Sequence, residues 1–232
     1  MMWKNLEYKK WRILFKADES RMTPFNHNHL DYYAFILMHD NKVILTDSGG
    51  SSYDPKLKDA DARLPEYHNS IRIKNLGYKP DNSRYLTKKY IDCTFRTTIK
   101  ENKGSLEINL MSTGFNRIDK DINFTRTIKI NESITSIEDR SFSENIYPID
   151  HYFHFPIKSE ICNSENSSNI NIDEKIIRMT YDDSHIDIEI NKNKFLRYYS
   201  EQYNCRDLKN YVKINSSISI TKPIIYKFEV IK

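Results

Sequence analysis

A period of two dominates this chain and restricts it to sheets. Ile170–Ile176 (INIDEKI) and Ile186–Ile190 (IDIEI) largely alternate apolar and polar residues, as strands with one buried face do. Two apolar runs, Tyr32–Met38 and Lys42–Thr46, are joined across His39, Asp40 and Asn41, and Asp-Asn between such runs predicts a hairpin. A second hairpin is predicted from Cys93 to Lys100 and back along Ser105–Met111, turning through Asn102, Lys103 and Gly104. Trp11–Lys16 reads as the first strand, and more are expected at Ser70–Lys74, Ile122–Ile130, Tyr152–Ile157, Tyr211–Ile220 and Ile224–Ile231. Only 7 prolines and 5 glycines punctuate the chain, so turns fall to Asn and Asp, which hydrogen-bond their own backbone and tolerate positive φ.

Helical signals are weak. Asp54–Tyr67 reads as a functional loop or short helix, Lys194–Tyr203 as a short helix or a strand, and Cys162–Asn169 (CNSENSSN) as an exposed loop. The fold expected is all-β, a layered antiparallel β-sandwich filling one domain over residues 1–232. Motif-bearing strands occupy 11–75 and the rest of the sheet 90–232.

Composition excludes several functions. With 38% apolar and 12% aromatic residues the chain can build a core. The net charge of +4 comes from interspersed charges, so no basic groove for nucleic acid is expected. Cys93, Cys162 and Cys205 are too few and too scattered for a disulfide framework or a cysteine metal site. The N-terminal MMWKNLEYKKWRILFK has no continuous apolar stretch and is not a signal peptide. No apolar run approaches the ~20 residues of a membrane span. The sequence as it stands reads as cytoplasmic.

The most informative stretch is His27-Asn28-His29-Leu30-Asp31. In a strand His27, His29 and Asp31 would share one face. The neighbouring run ends at Asp47 in Thr46-Asp47-Ser48-Gly49-Gly50, and His68 opens a later strand. Two histidines and an aspartate from neighbouring strands fit a zinc ion with one position left for water. The competing reading is ordinary, since His-x-His on a strand also occurs as surface or satisfied core histidines. His39 reads as a solvated turn residue. His151 and His154, three apart, face opposite sides of a strand and are poor co-ligands. His185, in a polar turn, is assigned nothing.

In combination these elements resemble the heparinase II/III-like polysaccharide lyases. The pattern of that family matches His27–Asp31, Asp47-Ser48-Gly49, Tyr53, Arg63 and His68-Asn69. Softer matches follow at Arg126-Thr127-Ile128 with Ser136–Arg140, at His151–Pro156, and at Tyr199–Tyr203, where Asn204 stands in place of the usual glycine. The resemblance implies a supersandwich-like C-terminal β-domain with one largely structural zinc held by His29, Asp47 and His68. Asp31 would orient a ligand histidine. It further implies His27 as a cleft histidine that assists catalysis, with Tyr53, Arg63 and Asn69 as substrate-binding residues.

The reaction so implied is β-elimination on a uronic-acid-containing polysaccharide. A base takes the C5 proton, the adjacent carboxylate is neutralised, and an acid protonates the departing O4. In the family a helical toroid contributes the other catalytic groups. The expectation is therefore that this chain acts with a separate toroid-bearing chain and is weakly active or inactive alone. The alternatives are a non-catalytic carbohydrate-binding module or a zinc-stabilised structural remnant. The family often works in the periplasm or cell envelope, so the compartment stays open.

Overall fold

Along Ile134–Ser141 (β9) every second residue, Thr135, Ile137, Asp139 and Ser141, is buried, and that alternation recurs through the sheets around it. The structure, a computed structural model, describes residues 3–17, 31–47, 64–77, 94–120, 122–164, 166–181, 187–191, 198–199, 207–208, 210–219 and 221–231. The strands it describes are antiparallel and stack as a sandwich, giving the expected all-β architecture.

A first sheet runs β1 (Trp3–Tyr8), β2 (Trp11–Lys16), β3 (Phe35–His39) and β4 (Lys42–Leu45). A second places β10 (Tyr147–Phe155) between β5 (Ile71–Ile73) and β17 (Asn210–Ile218), with β14 (Asp187–Ile190) outside β17. The third sheet has eight strands. Its order is β11 (Glu160–Ser164), β12 (Ser167–Ile172), β13 (Lys175–Tyr181), β18 (Ile224–Val230), β9, β8 (Phe124–Ile130), β7 (Ser105–Ser112) and β6 (Phe95–Asn102). A two-stranded ladder joins β15 (Tyr198–Tyr199) and β16 (Asp207–Leu208). Among the described residues no helix is long and apolar enough to cross a membrane.

One continuous core joins the three larger sheets. Phe153 of β10 sits edge-on to Tyr226 and Phe228 of β18, with ring centroids 5.0 and 5.5 Å apart. Each such fully buried phenylalanine contributes about 1.5–3 kcal/mol by leaving water. The opposite face of β10 carries Tyr152, which packs with Tyr67 and Tyr211 in a separate small cluster. β10 is thus buried on both sides, and its alternation sorts side chains between two environments.

Both predicted hairpins form. Asp40 (φ 49°) and Asn41 (φ 62°) turn β3 into β4, and Gly104 (φ 98°) turns β6 into β7. Four expectations need correction. β1 precedes Trp11–Lys16 and pairs with it, turning at Lys9 (φ 56°); as an edge strand it alternates only between exposed and half-buried residues. Ile170–Ile176 is not one strand, because Asp173 (φ 52°) turns the chain so that Ile172 pairs with Lys175. Cys162–Asn169 is no simple loop: its ends belong to β11 and β12, whose edge position admits polar residues. His39, expected in solvent, is 7% exposed, packs edge-on to Trp11 at 4.7 Å, and accepts a hydrogen bond from Lys175 Nζ at 2.9 Å.

Of the two uncertain stretches, Tyr198–Tyr199 is a strand and Pro65–Tyr67 a single 3₁₀ turn. Apart from Leu64, the remainder of each lies outside the described residues.

Candidate functional site

Asp47 follows β4 directly, and His68 closes the 3₁₀ turn that leads into β5. His68 is 1% exposed, and its Nδ1–H reaches both carboxylate oxygens of Asp47 at 3.0 Å. Twenty-one positions separate these residues in the sequence, so the backbone must bring them together, and Asn69 does much of that work. Its Nδ2 donates to the carbonyls of Phe35 at 2.6 Å and Thr46 at 2.7 Å, while its Oδ1 accepts from the His154 amide at 2.7 Å. Thr46 is also held through its own amide, which donates to the His154 carbonyl at 2.8 Å. Thr46 is therefore held twice, by the Asn69 side chain and by the backbone of His154, whose amide Asn69 also binds.

Asn69 was expected to meet substrate. The structure buries it completely and directs its amide to backbone groups, so it presents no surface to a ligand here. Asp31 was expected to lie on a strand and orient a ligand histidine. It instead precedes the turn at Tyr32-Tyr33, with the Ala34 amide bonded to its carbonyl at 2.9 Å. Among the described residues its side-chain partner is the ammonium of Lys16, and both are buried, at 5% and 2% exposure. The other site candidates, His27, His29, Tyr53 and Arg63, lie outside the described residues, as does His185.

The residues that sequence reasoning passed over lie behind this pair. Arg126 of β8 and Asp139 of β9 are direct cross-strand partners, both wholly buried. Arg126 Nε and Nη2 donate to the two carboxylate oxygens at 2.8 and 2.7 Å, and Nη1 donates to the carbonyls of Tyr33 and Asn69, each at 2.9 Å. His151 of β10 adds a third bond to Asp139, from Nε2 at 2.7 Å. A sequence signal did exist. Arg126 replaces an apolar residue in the inward series Phe124, Ile128, Ile130, Asp139 does so beside Ile137, and His151 does so between Ile149 and Phe153. Three inward polar residues on three strands are a cluster waiting for its partners.

Burial pushes the Asp139 carboxyl up, but the Arg126 charge and hydrogen bonds, with the hydrogen bond from His151, outweigh it and hold the group at about 2. Burial pushes His151 below its ordinary value against the pull of Asp139, so the ring is neutral near pH 7. His154 lies on the other face of β10 and donates from Nε2 to the Glu66 carbonyl at 3.0 Å. Its separation from His151 is as the spacing predicts.

The donor chemistry at His68 and Asp47 suits zinc. Neighbouring ligand atoms on a tetrahedral zinc lie about 3.3 Å apart, and here the nitrogen and oxygens are 3.0 Å apart. A metal would take the place of the shared proton with little movement. Among the described residues no group of three metal-ligating side chains is found, and His29, the third expected ligand, falls outside them.

Comparisons with known proteins extend over nearly the whole chain. The family model described as heparinase II/III-like, C-terminal, matches residues 2–225. No curated protein sequence matches. In structure the chain is similar to a heparan sulfate lyase from Pedobacter heparinus, at a TM-score of 0.72 and 11% identity, over 95% of this chain and 33% of that one. It is also similar to a heparinase III, at a TM-score of 0.70 and 14% identity, over 95% of this chain and 32% of that one. The chain thus spans about a third of the length of the solved lyases it matches. At such identities the likeness establishes the fold alone.

Proposed function

The chain belongs to the heparinase II/III-like family, matching its C-terminal domain, and from that premise we propose that it forms the β-sheet wall of a cleft for acidic polysaccharide. The polymer is one containing uronic acid, of the heparan sulfate type, and it is cleaved by β-elimination when a helical toroid completes the cleft. The observation that carries the reading is the meeting of His68 with Asp47. It assembles, from distant parts of the sequence, two of the three residues that the family pattern assigns to zinc.

In this reading His29, Asp47 and His68 would hold one zinc ion, which would supply a fixed positive charge beside the segments lining the cleft. The chain's own residues supply position and proton transfer. Asn69 and the buried polar cluster keep the ligand segments in place. His27 stands at the cleft and moves a proton to or from the sugar, while Tyr53 and Arg63 contact the polymer. Neither the base and acid pair nor the neutralisation of the uronate carboxylate can come from His27 alone, so this mechanism needs a helical toroid to bring the other groups.

The test mixes the chain with heparan sulfate, heparin and alginate, alone and with a family toroid domain, and follows unsaturated product by its ultraviolet absorbance. Binding of an acidic polymer, with cleavage only when the toroid is present, is expected. No binding to any of the three at low salt would sink the proposal. Binding that never leads to cleavage would identify a carbohydrate-binding module instead.

A further inference from the structure

The segments that carry the proposed zinc ligands Asp47 and His68 are both reached by one buried guanidinium together with one buried amide. Arg126 Nη1 bridges the carbonyls of Tyr33 and Asn69. Asn69 immediately follows His68 in the sequence. Asn69 then clasps Thr46, the residue before Asp47, together with Phe35. No other side chain among the described residues makes this set of contacts.

We propose that Arg126, aimed by Asp139, is a positioning residue for the metal centre, fixing the His68 segment directly and the Asp47 segment through Asn69. The inference rests on the zinc reading above. Its physical ground is the rigid fork of the guanidinium. With Nε and Nη2 both locked onto Asp139, the direction of Nη1 is no longer free. Asp139 is in turn fixed from a third strand by His151. An apolar pair of similar volume would fill the same space with no desolvation cost. It could not hold two carbonyls from separate segments at 2.9 Å on one nitrogen. That makes placement of those segments, and not cohesion of the core, the reason for an ion pair here.

Two variants of the full chain test this. Arg126→Lys keeps the charge and loses the fork. Arg126→Met/Asp139→Asn removes both charges and keeps an acceptor for His151. Zinc affinity is measured by competition with a chromophoric chelator, the ligand field by the visible spectrum of the cobalt(II)-substituted protein, and folding by near-ultraviolet circular dichroism and urea unfolding. Both variants are expected to fold and to bind zinc roughly 10- to 100-fold more weakly, the range for residues that orient metal ligands, with altered cobalt bands. A folded Arg126→Lys variant with unchanged zinc affinity and cobalt spectrum would overturn the proposal. Failure of both variants to fold would overturn it too, because the cluster would then hold the sandwich and not the ligand segments. An unmodified chain that takes up no zinc fails the metal reading itself, and the unmodified control shows that result separately.

Discussion

Asn69 donates to the carbonyl of Thr46 at 2.7 Å, and the residues next to each of them, His68 and Asp47, meet at 3.0 Å. A side-chain clip between two backbones therefore sets the distance between the two side chains one position along. Removing the clip should cost stability as well as site geometry. Asn69→Ala strips partners from one buried carbonyl, one half-buried carbonyl and one buried amide, and an unsatisfied buried group costs about 1–3 kcal/mol. A loss of about 3 kcal/mol or more is expected in urea unfolding. A loss below ~1 kcal/mol would mean that water or backbone movement replaces the clip.

The two ion pairs of β9 should behave oppositely. Glu138 and Arg140 meet at 2.6 Å on a face where both are more than a third exposed, whereas Asp139 and Arg126 are wholly buried. Asp139→Ala leaves a buried guanidinium without its carboxylate and should destabilise the fold by about 3–5 kcal/mol. Glu138→Ala should cost about 0–1 kcal/mol. Equal losses in chemical denaturation would contradict the burial argument.

Stability should fall with acidification in two stages. His151 has its folded-state pKa lowered by burial, so its contribution is complete above its ordinary value of 6.5 and erodes as the pH drops below that. Asp139, held at about 2, keeps its contribution down to the ordinary carboxylate range and loses it as the pH falls through 2. Each group adds at most about 1.4 kcal/mol per pH unit. His151→Gln should flatten the slope below pH 6.5 in urea titrations. His39, also lowered chiefly by burial, contributes in the same direction, so some slope remains. An unchanged slope in the His151 variant would place the sensitivity elsewhere.

The metal reading has a direct measurement. Purified chain should carry about one equivalent of zinc, and His68→Ala or Asp47→Ala should reduce it to a small fraction. A strong chelator should lower the melting temperature of the unmodified chain and leave the His68→Ala variant unaffected. Undiminished zinc in both variants would remove His68 and Asp47 from the site.

Much of the sheet was legible because alternation is a local property. The Asp40-Asn41 and Gly104 turns carry the residue types that positive φ demands, and their strands follow. Where the pattern misled, position in the fold was the cause. β1 and β11 lie at sheet edges, where one-sided burial fades, and Asp173 turns the chain inside what reads as a single strand. His39 shows the same limit, because a turn residue is buried only if another part of the chain, here Trp11 and Lys175, comes to cover it.

The candidate site divides along that line. By itself the sequence determined which residues have the right chemistry: two histidines and an aspartate with zinc-type donors, in a pattern that resembles a known family. Chemistry belongs to the side chain and survives without coordinates. Only the tertiary structure decided that His68 and Asp47 meet, that Asn69 spends its amide on backbone, and that Asp31 belongs to Lys16. Each of these depends on segments far apart in sequence being fixed at hydrogen-bond distance. That distance is set by the packing of whole sheets, with Arg126 at the point where they join.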